Sequence, residues 1–256
     1  MIRMVEYTPE EINLNDIPFT YYGDLLGVSD FYKISESAAY NVLNNFYNMT
    51  YEAFRGIHED VTITLFSDSI FVTGNRLKDT LNVLSGLYIN LLKKQIYLKG
   101  AVAEGRLEFQ PRLVYENLEK RLPTSDILYR AVILEKNIDG VRLIVEKKLA
   151  QKILPEIMYG PFYNLVDPKI IEICKQHPDS EILIKLHWNP DANAYDYYWF
   201  INEQEHISIK NILYLINIGR KFASKKAQIH YEETINFIEN ACYHVDTSEL
   251  DKKAKH

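Results

Sequence analysis

Between residues 17 and 146, runs rich in β-branched and aromatic residues alternate with runs whose apolar residues recur every three or four positions. The order of that alternation leaves few folds open. Ile17 to Asp24 (IPFTYYGD) reads as a first strand, ending at a carboxylate and the turn-like Leu25-Leu26-Gly27-Val28-Ser29. From Ser35 to about Phe54 the spacing of Ala38, Ala39, Val42, Leu43, Phe46 and Tyr47 predicts an amphipathic helix, with Ser35 placed to cap it. Val61 to Phe66 and Ile70 to Thr73 flank Ser67-Asp68-Ser69 and predict a hairpin with Asp68 at or beside its tip. A helix from Leu77 to Lys94 follows, with Leu81, Leu84, Leu87, Tyr88 and Leu91 on one face. Ile96 to Leu107 reads as a strand whose Gly100, Ala101, Ala103 and Gly105 allow a backbone or ligand close approach. Residues 108 to 123 read as a loop with a short helical turn; Thr124 or Ser125 caps a helix from Asp126 to about Lys136, and Gly140 releases a strand at Val141 to Val145. The order β-α-β-β-α-β-α-β is the split βαβ arrangement of an α+β, ferredoxin-like or palm domain, with helices expected on one sheet face.

The expected organisation is a lead-in at 1–16, the palm at 17–146, a C-terminal extension at 147–246 and a solvated tail at 247–256. Within the extension, Pro155 to Pro178 reads as loop. Ile182 to Trp188 and Tyr195 to Ile201 read as an antiparallel pair about Asn189-Pro190-Asp191, followed by helices near Ile207 to Ala223 and Ala227 to Tyr243. A net charge of −6 argues against a protein that grips duplex nucleic acid through a broad basic surface. No apolar run is long enough to span a bilayer, no hydrophobic signal region opens the chain, and Cys174 and Cys242 lack metal or redox spacing; a cytoplasmic protein with buried thiols is the expectation. The glycine-rich phosphate loops and the HExxH and GxSxG motifs are absent, so the chemistry has to rest on carboxylates and backbone. His58-Glu59-Asp60 reads as a connection, and His187, His206, His230 and His244 lack metal-ligand spacing.

In a palm, the end of the first strand lies beside the tip of the following hairpin, because neighbouring strands sit about 4.8 Å apart. Asp24 and Asp68 then face each other. Either one alone reads better as an ordinary turn residue, since Asp is common at strand ends; their joint placement reverses that and favours a site. Two such carboxylates repel unless a cation lies between them, and a pair with few other ligands suits Mg²⁺ or Mn²⁺ arriving with a nucleotide's phosphates. Two ions about 3.5–4 Å apart would activate a hydroxyl and neutralise leaving pyrophosphate. Gly27 supplies a bend that points the N–H groups of Leu26, Gly27, Val28 and Ser29 toward the same place.

Tyr22-Gly23-Asp24-Leu25-Leu26-Gly27-Val28-Ser29-Asp30-Phe31 resembles the metal-binding opening of class III nucleotidyl cyclases, and Phe66-Ser67-Asp68-Ser69 resembles their second metal-binding turn. Lys99 to Gly105 resembles the family's next strand, and Thr124 to Lys136 occupies the place of its catalytic helix. Within the class, the Asp-Leu-Leu-Gly turn and the Lys-Gly-Ala-Val strand, with no sensor or membrane module in view, resemble bacterial Pycsar uridylate cyclases. The resemblance implies that Asp24, the Leu25 carbonyl and Asp68 hold two metal ions, Mn²⁺ or Mg²⁺, and that residues 26 to 29 bind phosphates. It also implies a head-to-tail homodimer with active sites at the interface, a nucleoside triphosphate substrate, and cyclic UMP as an antiphage signal.

The sequence departs from the family at Tyr129 and Ile133, which stand where purine cyclases carry an Asn and an Arg spaced four apart. Tyr129 is compatible with altered base reading; Ile133 removes a cation. Arg130 or Arg106 is then the candidate to neutralise phosphate charge in the transition state. Thr64 replaces a lysine that often reads purines, which weakens an adenylate reading. Three functions remain in view: a metal-dependent cyclase acting on UTP, a catalytically silent palm that binds nucleotide or RNA and regulates a partner, and a palm polymerase making oligonucleotides.

Overall fold

A computed structural model describes residues 13–109, 113–115, 118–120, 123–154, 179–201 and 207–244. A short 3₁₀ turn, Leu14–Asp16, leads into β1 (Phe19–Leu25), α1 (Val28–Ile34), α2 (Glu36–Phe54), β2 (Thr62–Phe66), β3 (Ser69–Gly74), α3 (Leu77–Lys93) and β4 (Leu98–Glu104). Then come β5 (Leu113–Tyr115), β6 (Leu118–Lys120), α4 (Ile127–Lys136), β7 (Leu143–Glu146) and α5 (Lys147–Ile153). The described chain ends with α6 (Ser180–Leu183), β8 (Leu186–Asn189), β9 (Ala194–Tyr197), α7 (Ile209–Phe222) and α8 (Lys225–His244). One seven-stranded sheet has the order β2-β3-β1-β4-β7-β9-β8. β1 is antiparallel to both β3 and β4, and β4 is parallel to β7 across α4. The expected α+β split βαβ arrangement is present.

The period-two alternation of β1 decides what lies on each side of it. Phe19, Tyr21 and Leu25 are buried in the main core with Phe46 and Phe54 of α2 and Leu81, Leu84, Leu87, Tyr88 and Leu91 of α3. Tyr22 packs on the other face with Ala103 of β4 and Ile127 and Ala131 of α4, beside a second cluster of Ala101, Ile138, Ile144 and Ala194. Helices therefore cover both faces of the sheet, which corrects the expectation of one. The alanines of β4 are the reason: they let α4 pack directly on the strand. On the main-core face Gly100 serves the same end for a ring. A Cβ on Gly100 would lie 2.4 Å from the Tyr21 ring, and that ring is pinned by a 3.1 Å hydrogen bond between the Tyr21 and Tyr88 hydroxyls. Gly100→Ala should cost about 1–3 kcal/mol, read from the denaturant midpoint at unchanged slope.

The rest of the architecture follows the sequence with local differences. Ser35 accepts from the Ala38 N–H and starts α2 as expected, but residues 28–34 form a helix of their own before it. Residues 108–123 contain the β5–β6 ribbon where a loop with a helical turn was expected. The residue before α4 is Asp126, with no side-chain cap bond, in place of Thr124 or Ser125. Ile182 and Leu183 lie in α6, outside the expected strand. The β8–β9 pair joins β7 through β9 and so continues the sheet. Residues 155–178, with Cys174, and 247–256, as well as His206 and the side chains of Cys242 and His244, lie outside the described residues. No described helix is long and apolar enough to cross a membrane.

Candidate active site

The end of β1 and the tip of the β2–β3 hairpin meet as their pairing requires. Asp24 is opposite Ser69 on β3 and opposite Lys99 on β4. The hairpin turns through Ser67 and Asp68 alone, with Ser67 in the left-handed region at φ 55°. That tight turn brings the Asp68 carbonyl to accept the Leu25 N–H at 3.0 Å, one residue past Asp24. The Ser69 hydroxyl donates to Asp24 Oδ1 at 2.8 Å. Asp24 and Asp68 are both half-buried.

The Asp24 carboxyl is raised from its ordinary 3.8 to about 6. Burial is the largest cause, opposed by the Ser69 hydroxyl; the charges of Asp68 and Glu135 raise it further and Lys99 lowers it. A desolvated carboxylate facing a second one is what a divalent cation would relieve. The donor set of two carboxylates and the Leu25 carbonyl is hard oxygen, which fits Mg²⁺ or Mn²⁺ and leaves most positions to water and phosphate. Among the described residues no cluster of three or more His, Cys, Asp or Glu side chains forms a fuller cage.

Beyond Leu25 the chain bends at Gly27, whose φ of 78° is left-handed, and enters α1 at the buried Val28 and the exposed Ser29. One of the four expected phosphate donors is committed elsewhere: the Leu26 N–H donates to the Tyr97 carbonyl at 2.8 Å. The N–H groups of Gly27, Val28 and Ser29 sit at the helix start, where first-turn donors lack intrahelical partners.

Lys99 and Glu135 flank Asp24, and the sequence reading did not single them out. Lys99 Nζ pairs with Glu135 Oε1 at 2.8 Å and donates to the Ile138 carbonyl at 3.1 Å; the two side chains are 10% and 5% exposed. The pair was detectable in part. Ile127, Ala131 and Glu135 recur every fourth residue, so Glu135 continues an apolar helix stripe, and a carboxylate in such a stripe needs a partner.

The candidate arginines lie elsewhere. Arg130 donates to Glu146 Oε1, to the Glu104 carbonyl at 2.7 Å and to Asp126 Oδ1 at 3.3 Å. Arg106 donates to the Asp60 carbonyl at 3.3 Å. Phe19, opposite Glu104, is separated from Asp24 by most of β1, roughly 17 Å at the strand rise of about 3.3 Å per residue. Both arginines are thus held at the far end of the sheet from Asp24 of the same chain. Arg130→Ala should cost about 1–3 kcal/mol because Glu146 loses its cation, whereas Arg106→Ala should stay within about 0.5 kcal/mol, both read by chemical denaturation. Tyr129 and Ile133 are 68% and 38% exposed on α4. Thr64 is exposed on the edge strand β2. His58 bonds locally to Asp60, and His230 accepts from the Gly140 N–H and faces Asp139.

No protein-family model matches the chain, and no curated protein matches it. Among solved structures it is similar to the adenylyl cyclase CyaB from P. aeruginosa, at 14% identity over 53% of this chain and 79% of that one, with a TM-score of 0.43. It is similar to the guanylyl cyclase Cya2, at 14% identity over 54% of this chain and 79% of that one, with a TM-score of 0.44. A third is the guanylate cyclase domain of RhGC from Catenaria anguillulae in complex with GTP, at 10% identity over 54% and 82%, with a TM-score of 0.43.

Proposed function

We propose that this protein is a divalent-metal-dependent nucleotide cyclase that converts a nucleoside triphosphate, UTP before the others, to its 3′,5′-cyclic monophosphate and pyrophosphate. The observation that carries the reading is the meeting of Asp24 and Asp68 at a strand end and a two-residue hairpin tip, with Asp24 pushed up to about 6. The resemblance of residues 22–31 and 66–69 to the two metal-binding segments of class III nucleotidyl cyclases supports it. In this reading Asp24, the Leu25 carbonyl and Asp68 hold two ions, Mn²⁺ or Mg²⁺. Bound there, the ions lower the pKa of the ribose 3′-hydroxyl and offset charge on the phosphates. The chain's own part is positioning. Ser69 orients Asp24 through its hydroxyl, Leu25 ties the strand end to the hairpin, and Gly27, Val28 and Ser29 present N–H groups to the phosphates. The 3′-oxygen bonds to the α-phosphorus as the bond to the bridging oxygen breaks; pyrophosphate leaves and the hydroxyl proton passes to water.

Transition-state cations come, in this proposal, from the far end of a second copy in a head-to-tail homodimer, with Arg106, Arg130 and Tyr129 as the residues to test. The role as an antiphage signal and the cytoplasmic setting belong to the same proposal. A second reading, a silent palm that binds nucleotide and regulates a partner, is favoured by one observation: Arg130 is committed to Glu146, Glu104 and Asp126. The test is to incubate the protein with each ribonucleoside triphosphate and Mn²⁺ and analyse products by mass spectrometry, with Asp68→Asn alongside. A cyclic monophosphate from UTP, lost in the variant, is the expected result; metal-dependent nucleotide binding with no product supports the silent palm, and a linear oligonucleotide supports a polymerase.

A further inference from the structure

The turn that follows Asp24 is held from outside the palm. The Tyr97 carbonyl that accepts the Leu26 N–H belongs to a segment clamped by the C-terminal helices. The Tyr97 ring packs edge-on against Tyr231 of α8, with centroids 4.8 Å apart at 73°. The Tyr97 hydroxyl donates to Gln95 Oε1 at 2.7 Å, and Gln95 Nε2 donates to the Leu215 carbonyl of α7 at 3.1 Å. Gly219 makes that approach possible, since a Cβ there would lie 2.1 Å from the Tyr97 hydroxyl and 2.6 Å from the Tyr231 ring. At the other end of the turn, Ser224, in the α7–α8 junction, donates from Oγ to Asp30 Oδ2 at 2.9 Å, while Asp30 Oδ1 accepts from Lys33.

We propose that the α7–α8 hairpin positions the turn between β1 and α1, through Tyr231 against Tyr97 and through Ser224 against Asp30, and so sets the site's affinity for a triphosphate. The part about affinity rests on the reading of the site as a triphosphate site; the part about the turn does not. The Asp30 end of residues 26–30 is tied directly to the α7–α8 junction, 194 positions along the chain, and the Leu26 end is tied to Tyr97, whose ring packs against Tyr231 of α8. Tyr231 and Ser224 are positioning residues, because each acts through another residue. Backbone groups that meet phosphate equally in ground and transition state act on KM more than on kcat.

The test measures amide hydrogen exchange and kinetics together, on the full chain. In Tyr231→Ala, amides of residues 26–30 should exchange about tenfold faster while those in the middle of β1 and β4 are unchanged, because local opening is read segment by segment. Tyr231→Phe, which keeps the ring, should restore slow exchange. Ser224→Ala removes an exposed hydroxyl that bonds Asp30 and accepts from the Ala227 N–H at the start of α8; it should cost no more than about 1 kcal/mol, leave the protein folded, and speed exchange a few-fold around Asp30. With UTP and Mn²⁺, Tyr231→Ala should raise KM about five- to tenfold with kcat within about twofold. Unchanged exchange at 26–30 in both alanine variants, or loosening spread evenly through β1 and β4, would overturn the proposal. Absence of any product from the wild type would count against the cyclase reading alone, and the exchange data would still decide whether the helices hold the turn.

Discussion

Asp24→Asn should abolish product formation, by on the order of 10³-fold, and at the same time make the metal-free protein more stable at pH 8. The two effects have one origin. Asp24 is raised from 3.8 to about 6 by burial and by Asp68 and Glu135, against the pull of Ser69 and Lys99, so the native state holds its proton more tightly than the unfolded chain does. A group raised in this direction contributes stability below its unfolded pKa and loses it as pH climbs from about 4 to about 6. Wild-type stability in chelator should therefore fall across that window and then level, whereas Asp24→Asn should be flatter. Because the group is only partly buried, the difference at pH 8 is discounted to about 1 kcal/mol, a rise of a few degrees in Tm for the variant. Saturating Mn²⁺ should raise the wild-type Tm and leave that of Asp24→Asn nearly unmoved. A variant that is inactive and also less stable at pH 8 would show that Asp24 serves the fold and not a metal.

The largest stability effect is expected at Lys99. Lys99→Met leaves Glu135, 5% exposed, without a cation and close enough to Asp24 to raise it. Breaking a buried pair from one side costs about 3–5 kcal/mol, or roughly 10 °C in a chain of this size. Glu135→Gln should cost less, because Lys99 keeps the Ile138 carbonyl and the field of Asp24. Removing both charges with Lys99→Met and Glu135→Leu should recover most of the loss, since an apolar pair of similar volume is close to neutral. A thermal scan of the three variants gives the ranking, and equal losses for both single changes would show that Asp24 and Lys99 do not interact.

Sheet pairing made the meeting of the two carboxylates legible. Once the hairpin was placed by its β-rich flanks, Asp24 and Asp68 had to meet, because register follows from turn length. The helix stripes of α3 were legible for the same reason: Leu81, Leu84, Leu87, Tyr88 and Leu91 are all buried. What the sequence did not disclose depended on neighbours distant in the chain. Ala101 and Ala103 announced a close approach without saying which helix approached, or from which face. Glu135 continues an apolar stripe and so calls for a partner, but nothing marks Lys99 as that partner until α4 is laid on β4. The bond from Leu26 to Tyr97 involves only backbone, so no side chain marked it.

β7 has a consequence for any attempt to work with less than the whole chain. Its Leu143, Ile144 and Val145 are fully buried, with β4 on one side and β9 on the other. Residues 194–197, which supply the second partner, are made about fifty positions later. A fragment cut near 146 would keep both carboxylates and yet expose the backbone of a short apolar strand as a raw edge, a template for pairing with other molecules. Such a fragment should aggregate instead of behaving as a minimal enzyme, and during synthesis the same edge stays open until the β8–β9 hairpin arrives to close it.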